Sequence, residues 1–305
     1  MTTPITASKQ ATATAEKFYA VGFVTSRDGT TIGYRQLGHG PAVVLLHGAM
    51  ESACSHMQLA EALSDAFTVY LPDRRGRGLS GTYGDDYSIQ KEVEDLDALI
   101  TKADAHNVFG VSAGGLICLQ AALSLPDIHK VAVYEPALIV NGSISTAFLT
   151  RYDREIAQGN VPAALVTGML GAQMGPPIFN AMPRWLLESL TKMGMAQEEK
   201  KAKAGDVTMR MLAPTLHYDF TLVAEEAEKV ESFRTVQAEV LMLGGSKSPA
   251  YLKAALDALE IVLPRVERIE FPGLNHGGSS DNSGTNRGGK PELVAQALLQ
   301  FFAEP

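Results

Sequence analysis

Cysteine is scarce in this chain: Cys54 and Cys118 are the only two in 305 residues. Two thiols cannot frame a disulfide scaffold, and Cys118, inside the apolar run GGLICLQAAL, reads as a small core residue. A reducing, cytoplasmic setting fits that usage. No apolar run is long enough to span a bilayer. The opening MTTPITASKQATATAEK lacks the apolar stretch of a signal peptide, so residues 1–18 read as a disordered leader. Positive charge is also in deficit, with 26 Lys and Arg against 34 Asp and Glu and a net charge of -8. No basic stripe with interleaved aromatics offsets it, which disfavours nucleic acid and membrane surfaces as partners. Among seven histidines no pair has the H-E-x-x-H spacing of a zinc site. Neither a metal nor a cofactor is expected.

What is present is apolar residue in quantity, 46% of the chain, arranged in a repeating pattern. Residues 20 to 37 alternate polar and apolar around SRDGT, as a hairpin does. AVVLLHG (42–48) is a continuous apolar run ending in glycine, the pattern of a strand buried on both faces. A helix over 55–65 follows, then the strand FTVYLPD (67–73) closed by RRGRGLSG, a helix over 88–102 and the strand HNVFGVS. A helix over 113–125 and the strand KVAVYEP (130–136) come next. Between about 140 and 233 the alternation stops in a Met-, Leu- and Ala-rich stretch with helical spacing. It resumes with AEVLMLGG (238–245), a helix from Ser248-Pro249, VERIEF (266–271) and a last helix over 291–302. The pattern predicts an α/β fold: a doubly wound, mostly parallel sheet with right-handed crossovers, interrupted by a helical insertion. The core then comprises 19–139 and 234–305, and the insertion 140–233.

Ser112 stands in Gly110-Val111-Ser112-Ala113-Gly114, between a predicted strand and a predicted helix. That is the setting of a G-x-S-x-G nucleophile elbow, whose turn is too sharp for side chains two residues either side of the serine. The competing reading is a serine that only caps the helix. LLHGAM (45–50) ends another buried strand. A backbone N–H after it, that of Ala49, can pair with the N–H of Ala113 to make an oxyanion hole. A serine at neutral pH needs a base. His276, in PGLNHGG after the last strand, projects from the same sheet edge, whereas His47 reads as a loop anchor.

The order HGAM, DRRGRGLS, GVSAGG and PGLNH, with an insertion after the sixth strand, resembles the α/β-hydrolase superfamily over residues 20 to 303. The resemblance implies an eight-stranded sheet, Ser112 as nucleophile, His276 as base, Ala49 and Ala113 as oxyanion donors, and 140–233 as a cap. Halide-displacing and epoxide-opening relatives carry Asp where Ser112 stands, so they are disfavoured. The commonest place for the acid, the loop GGSKSPAY, holds Ser246 and Ser248 and no carboxylate. Some members place it at the end of the strand before the cap, which here is Glu135. The alternatives are that Glu135 pairs with Arg74 or Arg75, and that Asp281 is the acid. The loop after His276 is either a rim over the pocket or a solvated link. For the substrate, Met50, Trp185 and His217 are the candidate lining residues.

The reaction expected is hydrolysis of a small hydrophobic carboxylic ester or lactone through an acyl-enzyme. An early Glu and an apolar cap also look similar to the zearalenone-type lactonases. C–C bond hydrolysis by the same triad and a non-catalytic ligand receptor on this fold are the alternatives.

Overall fold

A computed structural model describes residues 19–303 except 176, 204 and 285. The predicted leader, 1–18, lies outside the described residues. Eight strands form one sheet: β1 (Ala20–Thr25), β2 (Thr31–Gly38), β3 (Ala42–Leu46), β4 (Thr68–Pro72), β5 (Asn107–Val111), β6 (Lys130–Tyr134), β7 (Glu239–Gly245) and β8 (Val266–Phe271). Their spatial order is β1-β2-β4-β3-β5-β6-β7-β8. β1 and β2 form the expected hairpin, β2 runs antiparallel to β4, and every later pairing is parallel.

Helices α1 (Met57–Leu63), α2 (Ile89–Ala103) and α3 (Ala113–Ser124) follow β3, β4 and β5. The cap helices α4 (Leu149–Ala157), α5 (Val161–Gly171), α6 (Arg184–Lys201), α7 (Met209–Leu212) and α8 (Leu216–Glu225) lie between β6 and β7. Then α9 (Ala250–Val262) and α10 (Pro291–Ala303) follow the last two strands. Side-chain alternation sorts the helices into layers. Val43 and Leu45 of β3 pack in a core with α1 and α10, while Val44 and Leu46 face α2, α3 and α9. Strands buried on both faces need apolar residues at every position, which is why the central strands read as continuous runs.

The strand order fixes where a site can form. After β3 the chain goes to β4 on one side, and β5 is on the other. The loops leaving the carboxyl ends of β3 and β5 diverge there and open a crevice, the usual ligand position in such sheets. Those loops carry Ala49 and Ser112. Among the described residues no helix is long and apolar enough to cross a membrane.

Candidate active site

Ser112 is the residue between β5 and α3, and its backbone is held at φ 53, ψ -119. A non-glycine residue in this region costs about 1–3 kcal/mol, so surrounding bonds must enforce it. The Ser112 N–H donates to Tyr134 O at 3.0 Å, and its carbonyl accepts from Leu116 at 3.0 Å and Ala137 at 3.1 Å. The flanking glycines are obligatory. A Cβ at Gly110 would lie 2.4 Å from Gly114 O, and one at Gly114 would lie 2.5 Å from Leu46 O. The Ser112 hydroxyl makes no capping bond to α3, against the reading of a simple helix cap. Ala113, the first residue of α3, has no intrahelical acceptor for its N–H.

The loop after β3 is anchored from below. His47 is buried; its Nδ1 bonds Gly48 O at 2.9 Å and its Nε2 accepts the Arg74 N–H at 3.1 Å. Burial first, then the charges of Arg77 and Arg74, push its pKa well below the usual value, so the ring is neutral. Glu51 reaches back to accept the Gly48 N–H at 2.8 Å. Met50 takes a positive φ of 56° and lines the same cavity as the serine.

His276 follows β8, and its Nδ1 lies 2.7 Å from Glu135 Oε2. Glu135 stands one residue past β6 at φ 47 and is fully buried. Its other oxygen accepts the Gly245 N–H at 2.6 Å. A buried carboxylate requires partners, and these two fill both oxygens. Tyr134, next to it, donates its hydroxyl to Asn275 O at 2.8 Å and so fixes the histidine loop. The arginines weighed as alternatives are engaged elsewhere: Arg74 with Glu92 and Asp219, Arg75 with Asp95 and Asp28. Asp281 accepts the Gln58 N–H at 2.9 Å instead of meeting His276. Ser246 takes the Gly273 N–H, and the Ser248 hydroxyl has no hydrogen-bond partner among the described residues.

Ser112 and His276 open onto one cavity of about 410 Å³ between the sheet edge and the cap helices. Its walls are apolar, built from Leu138, Ile139, Leu165, Met169, Leu216 and Phe220 among others. Ala49, Met50 and Ala113 line it too. Trp185 and His217 do not. In α6 it is Leu187 that is buried, and Trp185, two residues earlier on the helix, is 68% exposed. In α8, Leu216 and Phe220 share the inward face, so His217 turns aside to bond Asp153 at 2.9 Å.

Two charged groups at this edge escaped sequence reading. Glu51 accepts from Gly48, from Ser280 Oγ at 2.6 Å and from His56 Nε2 at 3.1 Å, joining the β3 loop to the loop after His276. That second loop is exposed at 282–284 and 287, as a solvated link is, and Asn286 braces it internally by donating to Gly277 O at 2.8 Å. Asp219, on α8, lines the cavity and pairs with Arg74 at 2.8 Å and Arg77 at 2.7 Å. Its sole sequence signal was an acidic residue placed between apolar ones, with Phe220 after it and Leu216 a turn before, in a cap helix. Among the described residues no group of three His, Cys, Asp or Glu could hold a metal ion.

The profile of the alpha/beta hydrolase family matches residues 43–285. The chain belongs to that family, which makes it a hydrolase by class. The 2-(acetamidomethylene)succinate hydrolase of Mesorhizobium japonicum is 25% identical over 278 residues, covering 89% of this chain and 91% of the relative. The crystal structure of an alpha/beta hydrolase from Sphaerobacter thermophilus is similar at a TM-score of 0.73 and 29% identity, over 92% of this chain and all of that one. A thermophilic esterase from Thermogutta terrifontis, at 17% identity, shares the fold, with a TM-score of 0.66 over 93% of this chain and 98% of its own.

Proposed function

We propose that the protein is a metal-independent serine hydrolase that cleaves small, apolar carboxylic esters or lactones. The observation that carries this reading is the 2.7 Å contact between His276 Nδ1 and Glu135 Oε2 at the mouth of the cavity that Ser112 lines. Glu135 fixes the imidazole tautomer so that Nε2 is free to take the Ser112 proton. The Ser112 oxygen then adds to the carbonyl carbon. The charge that develops on the carbonyl oxygen falls to the Ala49 and Ala113 N–H groups and to the α3 N-terminus. Collapse expels the alkoxide, which takes the proton from His276. In a lactone the alcohol stays tethered to the acyl group. Water, deprotonated by His276, releases the acid and restores Ser112.

Residues 140–233 serve in this reading as the cap that supplies the apolar walls, with Met50 completing them. The two cysteines, both free thiols, suit work in a reducing compartment. Incubation with a fluorophosphonate and with 4-nitrophenyl esters tests the proposal: Ser112 is labelled, esters turn over, and EDTA leaves the rate unchanged. No labelling and no turnover would move the protein to a binding role on this fold. Turnover of β-diketones in preference to esters would favour C–C hydrolysis by the same groups.

A further inference from the structure

We propose that Asp219 determines substrate charge: it bars carboxylate-bearing substrates and reserves the cavity for neutral ones. This rests on the serine-hydrolase reading of the site.

Two arginines lie at the seam between sheet edge and cap, both buried. Arg74 is gripped by Glu92 through two contacts, Nε to Oε2 at 3.1 Å and Nη2 to Oε1 at 2.8 Å. Its remaining nitrogen goes to Asp219 Oδ1 at 2.8 Å. Arg77 has a different set of partners. Its Nη1 donates to the carbonyls of Gly48 at 3.0 Å and Glu51 at 3.3 Å, and its Nη2 to Asp219 Oδ2 at 2.7 Å. Asp219 is thus the only carboxylate that Arg77 meets among the described residues.

A guanidinium pair converging on one carboxylate is the geometry by which proteins recognise substrate carboxylates. Here the chain supplies that carboxylate itself, from the cap, at the wall of the cavity. Among the described residues the lining contains no lysine or arginine, and its charged or chargeable members are Asp219, His276 and Tyr251. An entering anion would lose its water and find the inward-facing nitrogens of both arginines, Arg74 Nη1 and Arg77 Nη2, already committed to Asp219. No lysine or arginine among the described lining residues would offset its desolvation. The position is close to the chemistry. Arg77 bonds Gly48 O, and a Cβ built on Gly48 would lie 3.1 Å from the Ser112 Cβ. Charge selection would therefore act on the acyl chain near the reacting carbonyl, not at a distant rim.

The experiment compares two esters of equal acyl length, 4-nitrophenyl hexanoate and 4-nitrophenyl hydrogen adipate, which differ by a terminal carboxylate. In the wild type kcat/KM for the hexanoate exceeds that for the adipate by on the order of 10²-fold or more. In Asp219→Ala, which leaves the arginines without their shared anion, the ratio falls by about tenfold or more. Asp219→Asn, nearly isosteric, shifts it in the same direction. Wild-type rates on the two esters within about threefold of each other would overturn the proposal. So would an unchanged ratio in a folded Asp219 variant. If Asp219→Ala does not fold, the wild-type ratio and Asp219→Asn decide. Failure of the underlying reading has a separate signature: the hexanoate itself is not hydrolysed and Ser112 takes no fluorophosphonate label, and the proposal then falls with it.

Discussion

Glu135 Oε2 and His276 Nδ1 meet at 2.7 Å across 141 residues of chain. The contact exists because β6 and β7 are paired neighbours and the loop after β8 folds back over their ends. Replacing Glu135 by Gln keeps an acceptor for the Gly245 N–H but presents an amide N–H to His276 Nδ1, which inverts the tautomer. Turnover of 4-nitrophenyl esters falls by roughly 10³- to 10⁴-fold in Glu135→Gln. Ser248→Ala, at the commoner position for the acid, stays within about twofold of the wild type. Full activity in Glu135→Gln would remove it from the mechanism.

The strain at Ser112 yields a stability prediction. Glycine adopts φ 53 without a Cβ penalty, whereas alanine keeps it. Ser112→Gly is expected to unfold at higher denaturant than Ser112→Ala, by about 1 kcal/mol or more, while both are inactive. Equal stabilities in urea titrations would mean that the elbow is not strained.

His56 gives the molecule a pH dependence. Burial alone would lower its pKa, but the charge and hydrogen bond of Glu51 outweigh that and raise it above 6.5. The geometry agrees, since one ring nitrogen faces a carboxylate and the other, at 3.4 Å, a carbonyl, and only an imidazolium donates to both. The folded chain holds this proton more tightly than the unfolded chain. The contribution is complete below pH 6.5 and is lost as pH rises through the raised folded value. The wild type therefore loses more unfolding free energy than His56→Gln between about pH 6 and about pH 9. Parallel losses in the two proteins would show that this pair does not bias folding.

Arg74 holds Glu92 and Asp219 together. Arg74→Ala leaves the buried Glu92 charge without its arginine and Asp219 with Arg77 alone, and is expected to cost about 3–5 kcal/mol. Arg74→Met combined with Glu92→Leu removes a charge of each sign and costs less than Arg74→Ala alone, read by denaturant midpoint. A double variant worse than the single one would contradict this.

Most of the sheet was legible because central strands advertise themselves as unbroken apolar runs. VERIEF matches β8 residue for residue, and KVAVYEP overshoots β6 by two. The residues brought together at the sheet edge were legible too, since a parallel sheet puts every βα loop at one end. The cap was less so. AMPRWLLESL is apolar on more than one side, so its phase relative to the cavity is set by tertiary packing, and Trp185 ends outside. His217 failed for the same reason, one position from the inward Leu216. Pairings such as Asp219 with Arg74, 145 residues apart, leave no local periodicity at all.

The Asp219 pairing also has a consequence for engineering. A cap grafted from another member of the family would bring a foreign residue to the place of Asp219. If that residue lacks a carboxylate, the recipient body is left with Arg77 and a third of Arg74 facing an apolar chamber. Swapping caps here is thus an exchange of charge as well as shape, and a working chimera has to transplant position 219 and the DRRGR segment as one unit.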